Sequence, residues 1–231
     1  MYDVPNLLRN LALSLIPFIL SLSVHEFAHA WTAHALGDET AREQGRLTLN
    51  PVAHIDPFGT LLLPILGALS QTTGLIAWAK PVPYDPRRFR DGINRRLATA
   101  LVAAAGPLSN LVLALVCVLA MAGLMRLGVP MVTSDDHWAS DAPRPTATCV
   151  FLHAMWTRNV ALALFNLIPV PPLDGHRLLP PIFDRVMVPL AKYGFALLMV
   201  VFFFFGGVAD FLFYRPMAII FAVIRTTFGV Y

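Results

Sequence analysis

Hydrophobic residues in this chain fall into long uncharged blocks, broken by short polar stretches. Residues 11–24 (LALSLIPFILSLSV) carry no charge, and neither do residues 97–125, the clearest candidate for a membrane-crossing helix. Further apolar segments run over roughly 7–36, 58–79, 147–168, 187–208 and 211–228. The segment 58–79 is interrupted by Pro64, Gly67 and the polar run Ser70–Gly74. Each half is too short to cross a bilayer as a helix, so the segment reads as a re-entrant or β-hairpin element near 45–80. Trp78 to Pro86, with prolines at 81, 83 and 86, follows as an extended connector.

The pattern predicts an all-α polytopic membrane protein of about five transmembrane helices plus that folded-back element. It is read as one transmembrane domain over 1–231, with a core of about 7–180 and C-terminal helices over about 187–228. Composition agrees: 57% of the 231 residues are hydrophobic and 13% charged, with a mean hydropathy of +0.64. A soluble domain carries about 25% charged residues. The first apolar block lacks a basic leading region, and a functional-looking motif occupies the place of a cleavage site, so it does not read as a signal peptide. Cys117 and Cys149 lie in or beside apolar segments as small buried hydrophobes. The net charge of +3 is small and clustered, so no nucleic-acid partner is expected.

Loop charges set an expected orientation. Residues 80–96 hold Lys80, Arg87, Arg88, Arg90, Arg95 and Arg96 against Asp85 and Asp91. Residues 126–146 hold Asp135, Asp136 and Asp141 against Arg126 and Arg144, and 169–192 return Arg177, Arg185 and Lys192 against Asp174 and Asp184. The first and third loops are expected in the cytoplasm and the second outside.

Candidate chemistry concentrates in His25-Glu26-Phe27-Ala28-His29. Residues four apart share one helix face, so His25 and His29 can present two imidazoles to one Zn²⁺. Glu26 beside them is placed to take a proton from the attacking water and return it to a leaving amine. A Glu between two His in an apolar helix is costly without partners, which weighs against a purely structural role. A third protein ligand is needed. Thr32 and Ala35 stand where a longer three-histidine motif would need Gly and His. His34 is one residue off that register and reads as an interfacial residue. Glu39 and Glu43 lie close behind the motif in a charged turn. Asp174, in Asn166-Leu167-Ile168-Pro169-Val170-Pro171-Pro172-Leu173-Asp174-Gly175, lies just past a hydrophobic helix and is the better candidate.

At these residues the chain resembles the site-2 protease family of intramembrane zinc metalloproteases. The resemblance is carried by HEFAHA at 25–30, NPVAHIDPFGTLLLP at 50–64, GPLSN at 106–110 and NLIPVPPLDG at 166–175. It implies His25, His29 and Asp174 as ligands of one zinc ion per chain and Glu26 as general base. It also implies the small prokaryotic branch without a PDZ domain, hence a bacterial cytoplasmic membrane. His54 is a candidate oxyanion donor or a histidine tying a turn. Asn110 is a candidate contact to substrate backbone or a polar bond between helices; Asn166 reads as helix packing. Arg158, mid-segment in 147–168, is an expensive charge that marks a later helix start or a polar cavity.

One metal requires the helix bearing His25 and His29 to run parallel to the helix preceding Asp174. An even number of crossings then separates the first helix from 97–125, so 58–79 does not cross. The N-terminus lies outside and the metal lies toward the cytoplasmic face, roughly 10–16 Å below it at about 1.5 Å rise per residue. The expected activity is hydrolysis of a peptide bond in or near a transmembrane segment of a substrate protein. The bilayer and that substrate are the expected partners; the sequence does not specify an oligomeric state. Two rivals use the same residues: a metal transporter or metal-binding protein with no need of a base, and a membrane metallopeptidase using Glu39 or Glu43 as ligand.

Overall fold

A computed structural model describes residues 4–69, 78–129, 146–194, 196, 198, 200 and 215–228. Its helices are α1 (Val4–Ala35), α2 (Thr40–Glu43), α3 (Leu63–Leu69), α4 (Arg95–Arg126), α5 (Ala147–Asn166), α6 (Asp184–Ala191) and α7 (Arg215–Phe228). Among the described residues, three stretches are long and apolar enough to cross a membrane: Leu11–Ala35, Arg95–Arg126 and Ala147–Asn166. Exposure follows the same logic. In α1 the polar Ser21, Ser23, His25, Glu26 and His29 are buried, while Ile16 and Trp31 are exposed. That inversion suits a helix whose outer face meets lipid and whose inner face carries polar work. The remaining two expected spans, over 187–208 and 211–228, fall partly outside the described residues.

The chain forms two compact units, Met1–Ser109 and Asn110–Tyr231, with the division inside α4. In the first unit α1 ends at Gly37, whose φ of +107° only glycine adopts without strain. The Leu36 carbonyl accepts the Arg90 N–H at 3.0 Å, and a side chain at 37 would run into Arg90. Asp38 follows, fully buried, its carboxylate accepting from the Thr40 N–H at 3.0 Å and from the Asp85 N–H at 2.7 Å. Ala33 of α1 packs with Phe89 and with Ala98 and Val102 of α4, small residues that let helix backbones approach closely. Outside the membrane-spanning helices, the hydrogen-bonded Arg87 guanidinium holds the Asp85 carboxyl down to about 2.

Residues 57–69 correct the expectation of a β-hairpin. They form one π-helical turn (Pro57–Leu62) running into α3. Asp56 decides this locally: its carboxylate accepts the N–H groups of Phe58 and Gly59 at 3.0 and 2.7 Å, with Pro57 at the first helical position. The described residues contain no β-strand. Residues 70–77, where the element was expected to turn back, lie outside the described residues.

The second unit packs Ala114, Cys117, Val118 and Met121 of α4 with Cys149, Met155, Trp156 and Val160 of α5, and Ile220 of α7 lies against this core. Thr146 caps α5 by accepting the Cys149 N–H at 3.2 Å. α5 therefore begins well before Arg158, which lies inside the helix and is partly buried.

Candidate metal centre

α1 carries the two histidines on its buried face, as a spacing of four requires. His29 Nδ1 lies 2.7 Å from the Val102 carbonyl oxygen of α4, so it carries the proton and donates to that oxygen. The lone pair is thereby left on Nε2, which faces His25 Nε2 at 2.9 Å. The two rings meet edge to face, 84° apart. Two imidazole nitrogens converging in this way suit a metal that binds each at about 2.0–2.1 Å.

One helical turn beyond Val102, Gly106 keeps the space in front of these nitrogens open. A Cβ there would sit 2.3 Å from His29 Nε2 and 2.6 Å from His25 Nε2. In the sequence, Gly106 is marked only as a small residue within the GPLSN run. Asp174 opens a short turn, Asp174–Leu178, after α5 and the proline-rich loop. Gly175 behind it packs on the Leu167 and Ile168 carbonyls, where a Cβ could not fit. His25 and His29 offer two donor nitrogens from the first unit, and Asp174 offers a carboxylate from the second.

Glu26 is 8% exposed, and its Oε2 accepts the Val82 N–H at 2.8 Å. Val82 lies in the extended connector, which is tied down at alternate residues. The Trp78 N–H donates to the Gly59 carbonyl at 3.3 Å, and the Lys80 N–H to the His54 carbonyl at 3.0 Å. The Trp78 carbonyl accepts from the Thr60 hydroxyl at 2.7 Å. Gly59 is required here too, because a Cβ would meet the Trp78 indole at 2.3 Å.

The other candidates sit as follows. His54 is buried and donates from Nε2 to the Thr48 carbonyl at 2.8 Å, tying a turn; Nδ1 is left as an acceptor. Asn110 is fully buried and donates from Nδ2 to Asn159 Oδ1 at 2.7 Å, joining α4 to α5. Asn166 donates to the Leu162 carbonyl of its own helix at 3.0 Å. Glu39 is engaged by His34 and Arg42, and Glu43 by Arg88.

The amide pair gives a stability prediction. Asn110→Leu strands a buried Asn159 acceptor and is expected to cost about 1–3 kcal/mol, whereas joint replacement of Asn110 and Asn159 by leucine costs less. Thermal unfolding in detergent checks this. A double variant no more stable than the single one would remove the packing role.

The sequence model of peptidase family M50 matches residues 125–208. YwhC of Bacillus subtilis (strain 168), which carries a zinc-metalloprotease name, is 39% identical over 199 residues, 82% of each chain. The chain belongs to peptidase family M50. Rip2 of Mycolicibacterium smegmatis, similarly named, is 29% identical over 79% of this chain and 63% of its own length. Rip2 of Mycobacterium tuberculosis (strain H37Rv) is 32% identical over 80% and 64%. No solved structure matches at a significant level. This M50 peptidase, of the site-2 protease kind, is therefore a metalloendopeptidase with membrane-spanning helices.

Proposed function

We propose that this M50 peptidase is an intramembrane zinc protease that cleaves a peptide bond within or beside a transmembrane segment of another protein. The observation that carries the reading is the pair of facing imidazole nitrogens on a membrane helix, with a buried carboxylate one residue away. His25, His29 and Asp174 would hold one zinc ion, supported by the donor set of two imidazoles and a carboxylate, which zinc takes readily. When bound, zinc supplies Lewis acidity toward a scissile carbonyl and acidifies water. Glu26 then moves the proton. Its Oε2 is held by Val82, which leaves Oε1 to accept a proton from water and return it to the leaving amine.

The loop charges favour a site nearer the cytoplasmic face, with the N-terminus outside. A substrate must unwind to expose its backbone. The Ala79 N–H makes no hydrogen bond among the described residues, and it offers an edge for such a segment. His54 and Asn110 serve the reading better as positioning and packing residues than as groups touching substrate. The Glu39 or Glu43 alternative is disfavoured because both carboxylates are engaged by neighbouring cations.

The test measures zinc by mass spectrometry and maps cuts in a single-span probe protein reconstituted with the enzyme. Wild type is expected to hold one zinc and cut inside or beside the span. Asp174→Ala is expected to lose at least about tenfold in metal affinity together with cleavage, while Glu39→Gln and Glu43→Gln retain both. Full zinc in Asp174→Ala would overturn the ligand set. Cuts confined to the probe's distant soluble part would overturn the intramembrane reading.

A further inference from the structure

Arg46 is an unexpected residue to find buried. It follows α2, is 6% exposed, and its Nη2 donates to the Lys80 carbonyl at 2.6 Å. Among the described residues, Nε has no hydrogen-bond partner. A buried guanidinium is retained only where something compensates its desolvation. Burial pulls its proton affinity down, and the negative charge of the Glu26 carboxylate acts in the opposite direction. Arg46 thus touches the same three-residue stretch that holds Glu26: Lys80 on one side of Pro81, Val82 on the other.

Val82 packs against Ala30 and Ala41, but the connector has few hydrogen bonds to fix its backbone at this point. Pro81 and Pro83 donate nothing, and Val82 spends its only N–H on Glu26. Lys80 is anchored twice, by its N–H on His54 and by its carbonyl on Arg46. The second anchor is the charged one, and charge-assisted hydrogen bonds are about twice as strong as neutral ones.

We propose that Arg46 is a positioning residue for the general base: it clamps the Lys80 carbonyl so that the Val82 N–H fixes the orientation of the Glu26 carboxylate. This rests on the reading of Glu26 as base. Arg46 touches neither substrate nor metal, and its effect passes through Lys80–Val82.

The test has two arms on full-length, zinc-loaded protein in nanodiscs. Val82 lies between two prolines, so its amide is the sole exchangeable backbone hydrogen between Lys80 and Tyr84, and hydrogen exchange there can be read directly. Arg46→Met is expected to speed Val82 exchange by about tenfold or more, with α1 and α4 amides and zinc content unchanged. Arg46→Lys, which keeps charge and a donor, restores most of the protection. In the kinetic arm, using a leucine-glycine single-span probe with fluorophore and quencher, Arg46→Met lowers kcat by about tenfold with KM within about twofold. Unchanged Val82 exchange overturns the proposal. So does faster exchange throughout α1 and α4, which would make Arg46 a general fold determinant. A wild type that fails to cleave the probe counts against the proteolytic reading, while the exchange arm still decides the role of Arg46.

Discussion

Glu26→Gln is expected to abolish cleavage while leaving zinc in place. Glutamine has the same length as glutamate, and its side-chain oxygen still accepts the Val82 N–H that holds Glu26 Oε2 at 2.8 Å. His25 and His29 keep their geometry, since His29 is oriented by the Val102 carbonyl and not by Glu26. What is lost is the carboxylate that takes the proton, and general-base removal costs on the order of 10²–10⁴ in rate. A metal-transit protein needs no such base, so the same variant separates the two functions. Metal content near wild type with cleavage at background is the expected pair of results. Cleavage above about a tenth of wild type would remove Glu26 as the base.

Gly106→Ala is expected to be nearly as severe, through the metal. The added Cβ would sit 2.3 Å from His29 Nε2, inside van der Waals contact, on a helix that also grips the other nitrogen of the same ring. His29 cannot turn aside without breaking its bond to Val102, and His25 is met at 2.6 Å on the other side. Zinc occupancy should fall at least about tenfold, with a folding cost of about 1–3 kcal/mol typical of overpacking. Gly123→Ala is the control, because it lies in the same helix with nothing within 4 Å of the added carbon. It should be neutral or slightly stabilising, by up to about 1 kcal/mol of helix propensity. Full zinc and activity in Gly106→Ala would mean that the cradle is looser than its contacts indicate.

These two variants differ in how visible they were beforehand. Glu26 was legible because its chemistry is written in residue type and spacing: histidines four apart must share a helix face, and a carboxylate between them is too costly to be idle. Gly106 has no legible role within GPLSN, since nothing local distinguishes a glycine that leaves room beside two histidines from one that admits a neighbouring helix. Asp56 and Pro57 carried a capping signal that favours a helix over the suggested hairpin in 57–69; the breaks at Pro64 and Gly67 drew attention away from it. By sequence alone His54 and Asn110 each fit two roles, because a polar side chain's partner is a long-range fact. The structure gives His54 the Thr48 carbonyl and Asn110 the Asn159 amide.

By itself, the sequence determined the membrane setting, through uncharged blocks that no soluble chain of this length would carry, and it singled out His25 and His29 as the candidate metal pair with Glu26 as its adjacent carboxylate. Both depend on local periodicity and on residue chemistry. Only the tertiary structure decided which nitrogen of His29 carries the proton, why residue 106 has no side chain, and how Val82 and Arg46 converge on Glu26. Those depend on backbone groups and buried donors brought together from distant positions in the chain, and a carbonyl or an amide N–H looks the same at every residue until the fold gives it a partner.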